Sequence, residues 1–241
     1  MLNTIIVFMW TIPASVFFGT LAALLSLFSH TGNAPHLAAS TWAKSILAIA
    51  RVKVRITGLS YIDPKRSYIY MSNHQSNFDI PVLLGYLKVQ FRWLAKAELF
   101  EIPIFGHGMR GCGYISIDRS NRRSAMESIK QAAETIRNGV SVLIFPEGTR
   151  SADGHIQPFK KGGFFLARKS EVPIVPVIIR GTWRVMPRTG LRIAPGNVTV
   201  EVRPPIETTA YSGKDKNQLI RDVRQAICEG FYGTTEGSRP C

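Results

Sequence analysis

Apolar residues form one long run at the start of the chain and shorter runs after it. Residues 2–28 are mostly apolar, and no Asp, Glu, Lys or Arg occurs between Leu2 and Ala43. This run exceeds the roughly 20 residues that a helix needs to cross the core of a bilayer. Pro13 and Gly19 interrupt the run. The pattern therefore leaves open whether the segment is a clean span or a kinked or re-entrant helix.

A second, milder apolar segment at 37–49 carries Trp42 and Lys44, residue types that are typical of the membrane–water interface. We therefore expect residues 1–50 to anchor the chain on or in a bilayer, with a helical hairpin as one option. The alternative is that both segments are buried helices of a soluble domain, although such a long uncharged run is rare in soluble folds. The positive-inside rule places the basic bulk of the chain after Lys44 on the cytoplasmic face of the membrane.

From residue 51 onward, short apolar runs alternate with segments that are apolar on one face. Val52, Val54 and Ile56 alternate with cations, which is the period of a half-buried strand. Strands that alternate with helices predict an α/β domain over residues 51–232, with a sheet buried on both faces. The polar tail at 233–241 is predicted to be disordered. The predicted strands are 52–56, 67–71, 91–95, 114–117, 140–145, 172–179 and 197–202, and the predicted helices are 78–87, 121–138 and 214–232, with a turn-and-helix segment at 101–113.

Two prolines, Pro173 and Pro176, lie within the predicted strand at 172–179. Proline cannot donate a hydrogen bond to a neighbouring strand, so the pattern favours an edge strand or a bulge. The same run fits a wall for a bound apolar chain, and it fits an ordinary core strand equally well.

The charge of the chain indicates an anionic partner. Lys and Arg outnumber Asp and Glu by 30 to 16, which gives a net charge of +14 and a pI near 10.1. Nucleic acid, an acidic membrane surface and phosphate-bearing substrates all fit this balance. A candidate contact with lipid headgroups is a loop-like stretch in which an arginine recurs every four residues, although a solvated surface fits it as well: Arg180, Arg184, Arg188 and Arg192.

A histidine and a carboxylate lie close together where a predicted strand turns into a predicted helix. His74 and Asp79 belong to the polar stretch 73–79. A carboxylate that accepts a hydrogen bond from one imidazole nitrogen leaves the other nitrogen free as a base. We interpret His74 as a general base and Asp79 as the group that orients it, with a substrate hydroxyl as the nucleophile. The alternative is a surface histidine beside residues that merely cap a helix.

A second polar cluster, 145–151, directly follows another predicted strand. The carboxyl ends of strands are where open α/β sheets bind ligands. Gly148 allows close approach of the backbone, Thr149 supplies a hydroxyl, and Arg150 offers a planar fork that suits phosphate. Glu147 is a candidate acceptor of hydrogen bonds from substrate hydroxyls, and the lysines at 160–161 add positive charge. The alternative is an ordinary turn with a solvated arginine.

Four motifs in order resemble the glycerophospholipid acyltransferase family, closest to the lysophosphatidic acid acyltransferases of PlsC type. Residues 73–79 match the N-H-x4-D block, and 113–119 match the G-x-I-x-I-D-R block. Residues 145–151 match the F-P-E-G-T-R-S block, and 172–177 match the V-P-I-V-P-V block. Each motif is weak alone, but the four in order are highly specific.

The resemblance implies transfer of a fatty acyl group from acyl-CoA or acyl-ACP to the sn-2 hydroxyl of lysophosphatidate, which yields phosphatidate. It implies an α/β fold with a mixed, largely parallel sheet flanked by helices, and an N-terminal membrane-associated segment. His74 and Asp79 would be catalytic, without an acyl-enzyme intermediate, a metal or a cofactor beyond the acyl donor. The partners implied are lysophosphatidate, the acyl donor, anionic membrane lipids and acyl carrier protein, without nucleic acid. The residues expected to bind the acceptor's glycerol phosphate are Lys96, Arg119, Glu147, Gly148, Thr149 and Arg150.

Two other functions remain open from the sequence. The first keeps the chemistry and changes the acceptor to glycerol 3-phosphate, another lysophospholipid or an amino-acid lipid. The second is a non-catalytic basic protein that binds membranes or nucleic acid. The second accounts for the charge but gives no reason for the pairing of His74 with Asp79.

Overall fold

The computed structural model describes residues 1–29, 31–118, 122–211 and 217–233, and the predicted tail at 233–241 lies outside this part of the chain except for its first residue. The described residues form seven strands and eight α-helices. The strands are β1 Val52–Thr57, β2 Ile69–Ser72, β3 Arg92–Lys96, β4 Ile115–Ile117, β5 Val142–Ile144, β6 Ile174–Arg180 and β7 Gly196–Val202. The helices are α1 Leu2–Ser26, α2 Asn33–Ile49, α3 Asp79–Tyr86, α4 Phe105–Gly111, α5 Arg122–Arg137, α6 Lys161–Ser170, α7 Thr182–Val185 and α8 Gln218–Tyr232.

All seven strands join one sheet in the order β1-β7-β6-β2-β5-β3-β4. Every pair is parallel except β6 with β7, which confirms the mixed, largely parallel sheet. One face packs against α2 and α3, and the other packs against α5, α6 and α8. Because both faces are covered, β2, β5 and β6 are apolar almost throughout, as expected for strands in the middle of a parallel sheet.

The proline-containing strand β6 is not at an edge, because it lies between β7 and β2. A bulge lies beside it, in the segment that follows β7 and not in β6 itself. Val177 pairs with Val202, whereas Ile174 pairs with Ile206, so one extra residue lies on the opposite side between these two pairs. The carbonyl of Pro176 accepts a hydrogen bond from the Arg203 N–H at 2.9 Å, which continues the register of β6 with β7 up to Pro176. Because proline has no N–H, this pair keeps that one hydrogen bond and lacks the second.

The first two helices form a hairpin that packs on α3, α4 and the edge strand β1. The indole N–H of Trp10 donates to the hydroxyl of Ser45 at 3.0 Å, and the indole N–H of Trp42 donates to the hydroxyl of Ser15 at 3.1 Å. Helix α1 continues through Pro13, so the predicted helix is present without a break. The hairpin was one of the arrangements that the sequence allowed.

Helices α1 and α4 approach closely where both carry glycine. A Cβ atom at Gly108 would lie 3.1 Å from the carbonyl oxygen of Gly19, closer than most side chains tolerate. At the beginning of α1, the Asn3 side-chain amide donates to the Ile193 carbonyl at 3.1 Å, and the Ile193 N–H donates to the Thr4 hydroxyl at 2.9 Å. Helix α1 is therefore held along the domain rather than projecting away from it.

Candidate active site

The two polar stretches singled out in the sequence meet at the centre of the sheet. Strands β2 and β5 are parallel neighbours, so the loops that follow them leave the sheet at the same edge. The N–H of Ser151, in the loop after β5, donates to the carbonyl of His74, in the loop after β2, at 2.8 Å. The structure therefore brings together the histidine and the glycine-containing cluster that sequence analysis considered separately.

The imidazole of His74 is oriented by Asp79. The Nδ1 atom of His74 lies 2.8 Å from Oδ2 of Asp79, and this carboxylate is fully buried. The same oxygen accepts the backbone N–H groups of Gln75 at 2.6 Å and Ser76 at 2.8 Å. Asp79 thus closes the turn that leads into α3 and also contacts the imidazole. The remaining nitrogen, Nε2, is the one left for a substrate.

Stacked aromatic rings hold the other side of His74. The imidazole lies parallel to the ring of Phe145, with 3.8 Å between centroids and 8° between planes. Trp93 stacks in turn on Phe145, with centroids 5.5 Å apart. The side chain of His74 is 13% exposed, so it is shielded but reaches the surface of the cavity described below.

Two residues beside His74 fix its loop to the sheet. The side-chain amide of Asn73 donates to the carbonyl of Ile179 and accepts the N–H of the same residue, both at 2.8 Å. The hydroxyl of Ser76 donates to the carbonyl of Met186 at 2.7 Å. Sequence analysis gave Ser76 no role and considered Asn73 only as a helix cap, although both lie in the polar stretch 73–79. Because Asn73 and Ser76 are fully buried, these bonds tie the loop to β6 and to the chain after α7.

Glu147 occupies a different place from the one expected of a substrate-binding residue. One carboxylate oxygen accepts the N–H of His74 at 2.7 Å, and the other accepts the N–H of Gln157 at 2.8 Å. The residue is 2% exposed. Burial raises the pKa of Glu147 to about 7, an increase that the two backbone hydrogen bonds oppose. This geometry favours a positioning role, in which Glu147 fixes the backbone of His74, over direct contact with a substrate hydroxyl.

The raised pKa of Glu147 predicts a pH-dependent stability that Glu147→Gln removes. The pKa lies above the ordinary value of 4.5 in the folded protein, so the contribution of this group is fully present below about pH 4.5 and is lost as pH rises through 7. Over that window we expect the free energy of unfolding of the wild type to fall by about 3 kcal/mol relative to Glu147→Gln. Chemical denaturation in detergent from pH 4.5 to 8 measures it, and parallel curves for the two proteins would contradict it.

A cavity of about 470 Å³ opens beside His74. At its polar end lie His74 and the loop residues Gly148, Thr149 and Arg150, together with Lys96. Lys96 forms an exposed ion pair with Glu98 at 2.6 Å. Arg119, the remaining candidate for substrate binding, lies outside the residues that the structure describes.

The rest of the cavity is apolar and extends between α1, α2 and α4. No residue of β6 lines it, so the proline-containing strand is ordinary core and not a wall of this cavity. The sequence indicated that the first two segments were apolar but not that they enclose a space next to His74. The apolar lining includes Phe18, Gly19, Ala22, Ala39, Trp42, Phe105 and Met109.

Comparison with known proteins gives matches over most of the chain. The family model described as Acyltransferase matches residues 53–180. The "1-acyl-sn-glycerol-3-phosphate acyltransferase BAT2, chloroplastic" of Brassica napus is 37% identical over 199 residues, which are 81% of this chain and 56% of that protein. A 1-acyl-sn-glycerol-3-phosphate acyltransferase of Chlamydomonas reinhardtii is 33% identical over 234 residues, which are 96% of this chain and 69% of the relative.

A human relative and a solved structure agree with these matches. The "1-acyl-sn-glycerol-3-phosphate acyltransferase alpha" of Homo sapiens is 32% identical over 75% of this chain and 64% of its own length. The crystal structure of the 1-acyl-sn-glycerophosphate acyltransferase PlsC from Thermotoga maritima has a TM-score of 0.82 and 28% identity, and covers 95% of this chain and 93% of that one. The chain spans little more than half the length of the first plant relatives, 56% and 54%.

Proposed function

Because the chain belongs to the Acyltransferase family, we propose that it moves a fatty acyl group from an acyl thioester to the sn-2 hydroxyl of 1-acylglycerol 3-phosphate and forms phosphatidate. One observation carries the proposal: a single cavity joins the His74–Asp79 pair, a basic loop at 148–150 and an apolar pocket. These three parts match a hydroxyl to be deprotonated, a phosphate to be bound and a fatty acyl chain to be enclosed.

In the proposed reaction, Nε2 of His74 takes the proton of the glycerol hydroxyl while the hydroxyl oxygen attacks the thioester carbonyl. The new C–O ester bond forms, the C–S bond breaks, and the imidazolium returns its proton to the leaving thiolate. General-base assistance of this kind is worth roughly 100- to 10,000-fold in rate. The buried carboxylate of Asp79 stabilises the imidazolium that forms in between. The chemistry uses acyl-CoA or acyl-ACP as co-substrate and draws on no resident cofactor.

The acceptor phosphate is proposed to lie at the basic end of the cavity. Arg150 offers a fork of N–H donors whose geometry suits phosphate, and Thr149 adds a hydroxyl. Gly148 has a positive φ of 72°, a conformation that favours glycine, so it allows the loop to turn between Glu147 and Thr149. Lys96 and Arg119 are the further candidates implied by the family motifs. The apolar pocket between α1, α2 and α4 is proposed to enclose an acyl chain.

An acceptor panel tests the proposed function. The purified chain in detergent is mixed with acyl-CoA or acyl-ACP and with lysophosphatidate, glycerol 3-phosphate or a lysophospholipid whose phosphate carries a headgroup. Thiol release and lipid mass spectrometry are measured together. We expect phosphatidate to be the main product. Preferred acylation of another acceptor would reassign the substrate. If no acceptor gives thiol release and the protein binds DNA tightly in a salt-sensitive way, the assignment as an enzyme is contradicted.

We propose that α1 rests in one leaflet of a membrane. Within the described residues, α1 is the one helix long and apolar enough to cross a bilayer. Its beginning is bonded to Ile193, and the chain just after it is bonded to the buried guanidinium of Arg92, which donates to the Thr31 carbonyl at 2.7 Å. Both ends therefore contact the same domain, on which charged loops are exposed. The exposed apolar side chains of α1 include Leu2, Ile5, Ile6, Met9, Ile12, Val16, Phe17 and Leu24.

The one-leaflet arrangement predicts that both ends of α1 are reached from the same side of a membrane. Single-cysteine variants Leu2→Cys and Thr31→Cys in sealed vesicles should react with an impermeant maleimide from the side that also labels Lys65→Cys on the catalytic domain. Alkaline carbonate should leave the protein in the membrane. Labelling of the two ends from opposite sides would show instead that α1 spans the bilayer.

A further inference from the structure

Lys160 lies across Gly148, next to the cavity. A Cβ atom at Gly148 would lie 2.8 Å from Cδ of Lys160 and 3.0 Å from its Nζ. The ammonium therefore occupies the space that a side chain at position 148 would fill. Because Gly148, Thr149 and Arg150 line the polar end of the cavity, the charge of Lys160 stands at its edge.

The backbone holds Lys160 in this place while its side chain stays available. Its N–H donates to the carbonyl of Pro146 at 2.8 Å, so the chain that enters α6 is fixed directly beside the glycine loop. The residue is exposed. Among the ion pairs formed by the residues that the structure describes, none involves Lys160. Its neighbour Lys161 is the first residue of α6, and the three atoms nearest to a Cβ at Gly148 all belong to Lys160.

We propose that Lys160 is a phosphate-binding residue for the acceptor and acts together with Arg150. The proposal rests on the proposed function and adds a residue to its binding site. A phosphate monoester carries about −1.5 to −2 charges near neutral pH, which one cation does not neutralise. Lys160 crosses Gly148 and Arg150 lines the same end of the cavity, so a phosphate bound beside this loop meets both cations. The N-terminus of α6, which begins at this loop, adds its partial positive charge.

The matched variants Lys160→Gln and Lys161→Gln test the proposal, because they remove the same charge from adjacent exposed positions. The probe is glycerol 3-phosphate, with glycerol as the phosphate-free control, and its Kd is measured by calorimetry. We expect Lys160→Gln to raise the Kd about tenfold, the effect of one charge-assisted hydrogen bond. We expect Lys161→Gln to match the wild type and Lys160→Arg to recover most of the affinity.

Kinetics provide the second readout and separate the two proposals. In an active enzyme, Lys160→Gln should raise the KM for lysophosphatidate and leave kcat and the KM for the acyl donor nearly unchanged. This result is expected because the phosphate contact is made equally in the ground state and the transition state. Equal Kd values for Lys160→Gln and Lys161→Gln, or equal binding of glycerol, would overturn the role of Lys160 whether or not acyl transfer is observed. A wild type that binds glycerol 3-phosphate through Lys160 but acylates no acceptor would overturn the proposed function alone.

Discussion

Replacing His74 with alanine is expected to lower kcat/KM for phosphatidate formation by roughly 100- to 10,000-fold. Among the residues that the structure describes, His74 carries the one imidazole that lines the cavity, so in the alanine variant the glycerol hydroxyl must attack without that base. The loss should fall on kcat, because the phosphate and the acyl chain are held by other residues. Thiol release and phosphatidate formation, measured at saturating lysophosphatidate, report the change.

The matched control for this variant is His107→Ala. His107 is exposed on α4 and does not line the cavity with His74, so its loss should leave kcat close to that of the wild type. The stacking partner Phe145 keeps its contact with Trp93 in the His74 variant, which should limit structural damage. Circular dichroism of both variants checks that they fold. Activity that survives His74→Ala in a folded protein would contradict the general-base role.

Replacing Asp79 with asparagine is expected to lower kcat by a similar factor, roughly 100- to 10,000-fold. An amide oxygen in the place of Oδ2 still accepts the N–H groups of Gln75 and Ser76, but it carries no negative charge. The imidazolium that forms at His74 then loses the fully buried carboxylate that stabilises it. The KM for lysophosphatidate should change little, because Asp79 makes no contact with the cavity.

Asp63→Asn is the matched control for Asp79→Asn. Asp63 also accepts a backbone N–H within a turn, from Lys65 at 2.9 Å, but it is exposed and precedes β2, whereas His74 follows that strand. The variant therefore measures how much activity is lost when the same Asp→Asn change is made in a turn that contacts no imidazole. If both variants lose activity equally, or if Asp79→Asn retains wild-type kcat while folded, the carboxylate only closes the turn into α3.

The short separation of His74 and Asp79 along the sequence was sufficient to predict that they pair. The two residues are five positions apart across a strand-to-helix turn, so the turn itself brings the carboxylate under the imidazole. The bonds of Glu147 could not be predicted in this way. Its partner His74 is 73 residues away along the chain, and the contact exists only because β2 and β5 are neighbours in the sheet.

The alternation of apolar runs predicted the α/β class and most of the elements, but it could not predict which strands lie side by side. The prolines at 173 and 176 favoured an edge strand or a bulge, but β6 is an interior strand and the bulge lies in the segment after its neighbour β7. Likewise, the adjacent lysines at 160–161 are equivalent in the sequence. In the structure, Lys160 immediately precedes α6 and its side chain lies over Gly148, whereas Lys161 is the first residue of the helix.

The apolar pocket could not be predicted from the sequence, because it is formed by the tertiary packing of three helices. The sequence indicated two membrane-seeking segments, but their docking on α4 requires the close approach of Gly19 and Gly108. This approach places α1 beside the cavity that His74 lines. The proposed membrane anchor and the proposed acyl pocket are thus built from the same helix.

The most direct test of the account is the intact mass of the protein incubated with acyl-CoA before and after lysophosphatidate is added. Direct transfer at His74 predicts an unmodified protein in the absence of the acceptor, with thiol release and phosphatidate appearing together once lysophosphatidate is present. A covalent acyl–protein adduct that forms from acyl-CoA alone and is discharged by lysophosphatidate would contradict the proposed mechanism, because the first nucleophile would then belong to the enzyme.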